Sequence, residues 1–157
     1  MIRTRQNGFT LIEVLVAMFV LSIGMMGVGA LFISSLQDSS SAIYRMRAIN
    51  FAEDMADRIR ANAAARMDYA TAYADSGTDN GCTDTAGNNA ALCTEQQLAA
   101  DDIYTWKQAI TSASLGLPAG KARVEINNGT NPPTYTVTVA WTEREDEQSY
   151  TTSFQAL

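Results

Sequence analysis

The residue types that could do chemistry are few in this chain. A carboxylate, Glu13, sits near the start of a long apolar run, "GFTLIEVLVAMFVLSIGMMGVGALF" from Gly8 to Phe32. Cys82 and Cys93 flank a polar stretch that also holds Asp84, with Asp75 and Asp79 just ahead of it, and Glu143, Glu145, Asp146 and Glu147 crowd together near the C-terminus. With no histidine and two cysteines, a zinc site, a Ser-His-Asp triad and a Cys-His pair cannot be assembled, so no catalytic residue, no metal site and no cofactor is expected. The aspartates lack the spacing of an EF-hand loop, and turn formation suffices to explain them. The acidic run near the C-terminus reads as a solvated hairpin tip rather than an acid/base pair. Eleven basic residues against 17 acidic ones give a net charge of -6, which offers no basic surface to a phosphate backbone, so no nucleic-acid partner is expected.

What remains is Glu13 and the helix that must carry it. No charged residue lies between Val14 and Ile33, and about 20 apolar residues at 1.5 Å each span a hydrocarbon core of about 30 Å. Arg3 and Arg5 precede the run and no acid does, which keeps the N-terminus in the cytoplasm and sends residues 34–157 across. A carboxylate inside a spanning helix costs on the order of 2.5 to 3.5 kcal/mol at the centre and less near an interface. No Lys or Arg lies between Arg5 and Arg45, so the helix holds no partner for it. Two readings follow: Glu13 is solvated in the headgroup zone, or it meets a positive charge on another molecule.

The other elements form one small domain behind this segment, since the 157 residues leave room for one modest core. Ile43, Met46, Ile49, Ala52, Met55, Ala56, Ile59 and Ala63 recur at spacings of three and four, which predicts that the helix continues amphipathically from about Phe9 to about Arg66, roughly 85 Å in all. Asp54 and Arg58 stand at the spacing of a weak i,i+4 ion pair. Residues 75–93 are a polar loop, and Cys82 and Cys93 are expected to close it as a staple worth roughly 3 kcal/mol in an oxidising compartment. Thr94 with Gln97 is a capping box. It opens a second helix whose stripe is Ala99, Ile103, Trp106, Ile110 and Ala113, ended by Gly116 and Pro118. Three period-two runs then follow: Val124 and Ile126; Tyr135, Val137, Val139 and Trp141; Tyr150, Thr152, Phe154 and Ala156. They predict an antiparallel meander and hence an α+β fold.

The stretch "GFTLIEVLVA", with a short basic leader before it and an unbroken apolar helix after it, closely resembles the class III signal of type IV pilins and pseudopilins. The resemblance implies that a prepilin peptidase cuts after Gly8, that Phe9 becomes the N-methylated new N-terminus, and that Glu13 pairs with the positive N-terminus of a neighbouring subunit. It divides the chain into a leader (1–8), a transmembrane and assembly helix (9–36) and a periplasmic pilin-like domain (37–157). Loss of Arg3 and Arg5 with the leader takes the net charge from -6 to -8. Where the family often has a helix-loosening proline this sequence has Ala30, and Gly24, Gly27 and Gly29 either loosen the helix instead or allow close helix packing. "EDMADRIRANAAA", Glu53 to Ala65, resembles the V-type minor pilins, also called type IV pilus modification proteins. Major pilins have their disulfide near the C-terminus, so the mid-chain pair here departs from that pattern.

These resemblances imply a minor pilin of the inner membrane that helps to start pilus assembly and thereby motility and adhesion. Its partners would be other minor pilins, the major pilin, the inner-membrane assembly platform and the prepilin peptidase. A type II secretion pseudopilin is the alternative, and a membrane-anchored enzyme or sensor a more remote one.

Overall fold

A computed structural model describes residues 8, 10–82 and 92–156. Arg3, Arg5, Phe9 and Asp84, named above, lie outside the described residues. The chain forms two compact units divided between Ser41 and Ala42.

Helix α1, Leu11–Ala61, begins in the first unit and ends in the second. Its early stretch has no proline and runs through Gly24, Gly27 and Gly29 without interruption. A Cβ at any of these glycines would meet nothing. Helical N–H groups are bonded within the segment, as an apolar surround demands. In the second unit α1 buries Ala48, Ala52, Met55, Ala56 and Ile59. The buried face therefore starts later than the sequence periodicity predicts: Ile43 and Met46 are exposed, as is Ala63. The helix also stops earlier than Arg66. Asn62 turns out of helical geometry, with φ -94° and ψ 69°, and a 3-10 helix, η1, follows over Ala63–Tyr69. The physical reason is Asn62 itself, which is buried and donates its side-chain amide to the Glu95 carbonyl at 2.8 Å rather than remaining on a helix surface.

Helix α2, Glu95–Thr111, has the expected capping box: Gln97 N donates to Thr94 Oγ1 at 3.2 Å and Thr94 N donates to Gln97 Oε1 at 3.0 Å. Its stripe Ala99, Ile103, Trp106 and Ile110 is buried, whereas Ala113 lies past the helix end and is exposed. The turn after α2 brings Leu117 N back onto the Ile110 carbonyl at 2.8 Å. Gly116 is required there, because a Cβ would stand 2.4 Å from the same carbonyl oxygen.

Strands β1 (Lys121–Asn127), β2 (Thr134–Glu143) and β3 (Asp146–Gln155) form an antiparallel sheet of order β1-β2-β3. The fold is α+β and pilin-like, a long N-terminal helix with a small antiparallel sheet. Val124 pairs with Val137, Val137 with Thr152, and Tyr135 with Phe154, so alternate residues of all strands share the core side. Thr71 forms an isolated bridge with Val124, closing part of the outer edge of β1; the sequence pattern gives no hint of it.

The core joins Ala48, Met55 and Ile59 of α1, Tyr69 of η1, Trp106 and Ile110 of α2 and Val124, Val137 and Val139 of the sheet. Trp106 is fully buried and its Nε1 donates to the Phe51 carbonyl at 2.8 Å, fastening α2 to α1. Replacing Trp106 by Ala is expected to cost about 3–5 kcal/mol. Urea unfolding of the detergent-solubilised chain, followed by circular dichroism, measures it; a loss below about 1 kcal/mol would contradict this packing.

Candidate functional site

Thr10 precedes α1, and its carbonyl accepts from Glu13 N at 3.1 Å and Val14 N at 3.4 Å. Glu13 thus stands in the first turn, where the helix dipole favours a carboxylate. It is exposed and lines one shallow groove with Val14, Ala17, Met18 and Leu21. Spacings of four place Glu13, Ala17 and Leu21 in one row. Among the described residues no basic side chain forms an ion pair with Glu13. The helix is long and apolar enough to cross a membrane, and no residue of its most apolar stretch is buried within the chain. A large apolar surface carrying one carboxylate at its end is built for something outside the chain.

The second unit is held rigid by a polar network that the sequence reveals only incompletely. Arg58 pairs with Asp54 at 3.1 Å, as its i,i+4 spacing suggests. Its Nη1 also reaches Asp102 Oδ1 at 2.8 Å and Thr105 Oγ1 at 3.1 Å on α2. The other Asp102 oxygen accepts from the Tyr69 hydroxyl at 2.6 Å, and Asn62 donates to the Glu95 carbonyl. Asp102 and Tyr69 are both buried. Burial first, and then the bond to Asp102, pushes the Tyr69 phenol far above its ordinary pKa. One aspartate of α2, Asp102, therefore ties α1 through Arg58 and η1 through Tyr69. Two adjacent aspartates facing inward from α2, Asp101 and Asp102, were the signal that could have found it.

Residues 3–29 match the prokaryotic N-terminal methylation motif, which places the exposed apolar helix and Glu13 inside a prepilin signal. Residues 30–104 match the Tt1218-like family, described as type IV pilin Tt1218. The two matches make the chain similar to type IV pilins over residues 3–104. No curated protein and no solved structure matches it. A prepilin-like signal with an N-terminal apolar helix supports anchoring in a membrane, and the likeness to pilins implies processing by a prepilin peptidase and assembly with other pilins. Pilins are structural subunits, and no group of three metal-ligating side chains occurs among the described residues.

The remaining candidate residues serve local structure. Cys82 and Cys93 are joined, with Cα atoms 5.9 Å apart. Asp75 accepts from Ala72 N at 2.7 Å and Asp79 from Gly81 N at 3.1 Å, both turn-forming bonds. Lys107, absent from the sequence reading, donates to Thr71 Oγ1 at 2.9 Å and to the carbonyls of Ala72 and Asp75, clamping the segment after η1 onto α2. Burial lowers its pKa, an effect that the Asp75 charge opposes. Gly77, with φ +70°, lets this segment pass α2 closely: a Cβ there would meet Tyr104 N at 2.5 Å. The acidic run Glu143 to Glu147 forms the β2–β3 turn and the strand ends beside it.

Asp102→Ala should destabilise the chain by about 2–3 kcal/mol, because it orphans the Tyr69 hydroxyl and removes the inner partner of Arg58. Tyr69→Phe should cost about 1 kcal/mol at neutral pH. With a raised folded-state pKa, Tyr69 contributes stability that is intact below the unfolded value of about 10 and is lost as pH rises above it. Denaturation at pH 7 and pH 11 should show Tyr69→Phe losing less stability with pH than wild type. An equal pH dependence would refute the buried phenol.

Proposed function

We propose that this chain is a type IV pilin, a minor one of the V-type subgroup, taking part in the initiation of pilus assembly and so in pilus-dependent motility and adhesion. The observation that carries the assembly role is Glu13, a charge on an exposed apolar helix with no basic side chain paired to it among the described residues. In this reading residues 1–8 are the leader, cut after Gly8, and residues 9–36 form the single inner-membrane span with Phe9 as the methylated N-terminus. Residues 37–157 form the periplasmic domain. The Phe9 amine of one subunit is the cation that Glu13 of the next one meets. The pair gains its energy on assembly, when both charges leave water together and neutralise each other. The resemblance of "EDMADRIRANAAA" (Glu53 to Ala65) to the minor pilins supports the subgroup, and the incorporated copies would stand near the pilus tip.

The test is Glu13→Gln, which keeps the shape and removes the charge. Protein level, cleavage after Gly8 and membrane location should be normal, while recruitment into the complex and the number of surface pili should fall. Full piliation with normal co-purification of partner pilins would sink the pairing and favour the interfacial, solvated carboxylate. Deleting the gene should lower piliation while the major subunit is still made, and the protein should be scarce in sheared pili. Loss of enzyme export with intact piliation would instead support the secretion pseudopilin.

A further inference from the structure

Two Asn-Gly pairs lie among the described residues, Asn80–Gly81 and Asn128–Gly129. A glycine after asparagine leaves the next backbone nitrogen with no Cβ to shield it, so that nitrogen can attack the asparagine carboxamide. The two pairs are built alike at the backbone. Gly81 N donates to Asp79 Oδ1 at 3.1 Å and Gly129 N to Asn127 Oδ1 at 2.9 Å, each closing an Asx turn. They differ at the carboxamide. That of Asn80 donates to the Gln97 carbonyl at 3.0 Å, while Asn80 N donates to the buried Asp101 at 2.7 Å. Cys82, next after Gly81, is joined to Cys93. Attack at Asn80 must therefore break a bond to α2, and it would leave a carboxylate facing the Gln97 carbonyl. Asn128 stands exposed in the β1–β2 turn, and its carboxamide has no hydrogen bond among the described residues.

We infer that Asn128 is a modification site, converted without an enzyme to aspartate and isoaspartate, and that its seat on α2 keeps Asn80 from the same reaction. Gly129 N loses its proton and attacks Cγ of Asn128. The new N–Cγ bond closes a cyclic imide as the Cγ–Nδ2 bond breaks, and Nδ2 leaves as ammonia, taking up that proton. Water then opens the ring. Hydrolysis at Cγ restores the ordinary backbone with an aspartate side chain, whereas hydrolysis at the main-chain carbonyl routes the backbone through Cγ as isoaspartate. The sum is a carboxamide plus water giving a carboxylic acid plus ammonia, with nothing oxidised or reduced. The Asx bond from Gly129 N must open first; it joins two exposed residues of a turn, where local opening costs little. The turn also tolerates the product. Its other side-chain bonds, Thr130 Oγ1 to the Asn127 carbonyl at 3.3 Å and between the Thr130 and Thr134 hydroxyls at 2.9 Å, do not involve the Asn128 side chain. The modified chain carries an added negative charge at this turn. The inference stands on the two turns alone and does not depend on the proposed function.

The test incubates the full chain in detergent, disulfide intact, in heavy-oxygen water at mildly alkaline pH, then digests it in ordinary water for site-resolved mass spectrometry. Asn128 should show the mass of the acid with labelled oxygen taken from solvent, and fragmentation should reveal both aspartate and isoaspartate there. It should convert severalfold faster than Asn80. Unfolding the chain in urea with a reductant should raise the Asn80 rate severalfold, towards that of Asn128. Gly129→Ala places a Cβ beside the attacking nitrogen in an exposed turn, and should slow Asn128 severalfold in a chain that still folds. An unmodified Asn128 in the folded chain, Asn80 converting as fast as Asn128 there, no rise at Asn80 on unfolding, or no slowing by Gly129→Ala would each overturn the proposal.

Discussion

The globular unit depends on the short apolar face of α1 between Ala48 and Ile59. Three of its buried residues are alanines, Ala48, Ala52 and Ala56, and small side chains let other elements approach the helix closely. Trp106 fills the space so created and bonds its indole N–H to the α1 backbone at Phe51. α2, and through it the sheet, is thereby seated on a helix whose earlier stretch is committed elsewhere. An apolar contact alone would leave α2 free to slide along α1. Arg58, bonded at once to Asp54, Asp102 and Thr105, fixes the register with directional bonds.

The same helix answers two solvents. Along the spanning stretch the side chains are exposed and almost all apolar, as a lipid surround or the helices of other subunits require. Nearer its C-terminal end, the helix has a dry face and an opposite one that carries Glu53, Asp54, Asp57 and Arg60. A helix can do both because its backbone hydrogen bonds are satisfied internally in either medium. Glu13 is the charged exception in the spanning half, and Asp102 with Tyr69 is the polar cluster facing the packed half. The former has no basic partner among the described residues, whereas the latter is bonded on several sides, as a buried polar cluster in a folded core must be.

Local rules were legible in the sequence. The capping box at Thr94, the stripe through Trp106 and the three alternating strands depend on neighbours a few residues apart, and each appears where periodicity puts it. The prepilin signal was legible through the resemblance of "GFTLIEVLVA" to the class III signal, since the charge in an apolar run alone left two readings open. What failed depended on partners distant in the chain. Ile43 and Met46 are exposed because the packed face of α1 runs through Tyr44, Ala48, Ala52 and Met55 instead. Helix α1 ends at Ala61 because Asn62 is claimed by Glu95, and no local signal carries that. Thr71 pairs with β1 across an intervening helix, and Lys107 reaches back to the Ala72 and Asp75 carbonyls in the same way.

Joining Cys82 to Cys93 holds the two ends of a polar segment 5.9 Å apart, whatever lies between them. Loop-closure entropy grows only slowly with length, and the anchors are carried by Thr94 at the start of α2 on one side and by the Asn80 contact to Asp101 on the other. The two cysteines are thus held from outside the segment they close, by the capping box of α2 and by Asn80 on Asp101. A reducing agent would release one end of that segment from the other while leaving both anchors bonded as before.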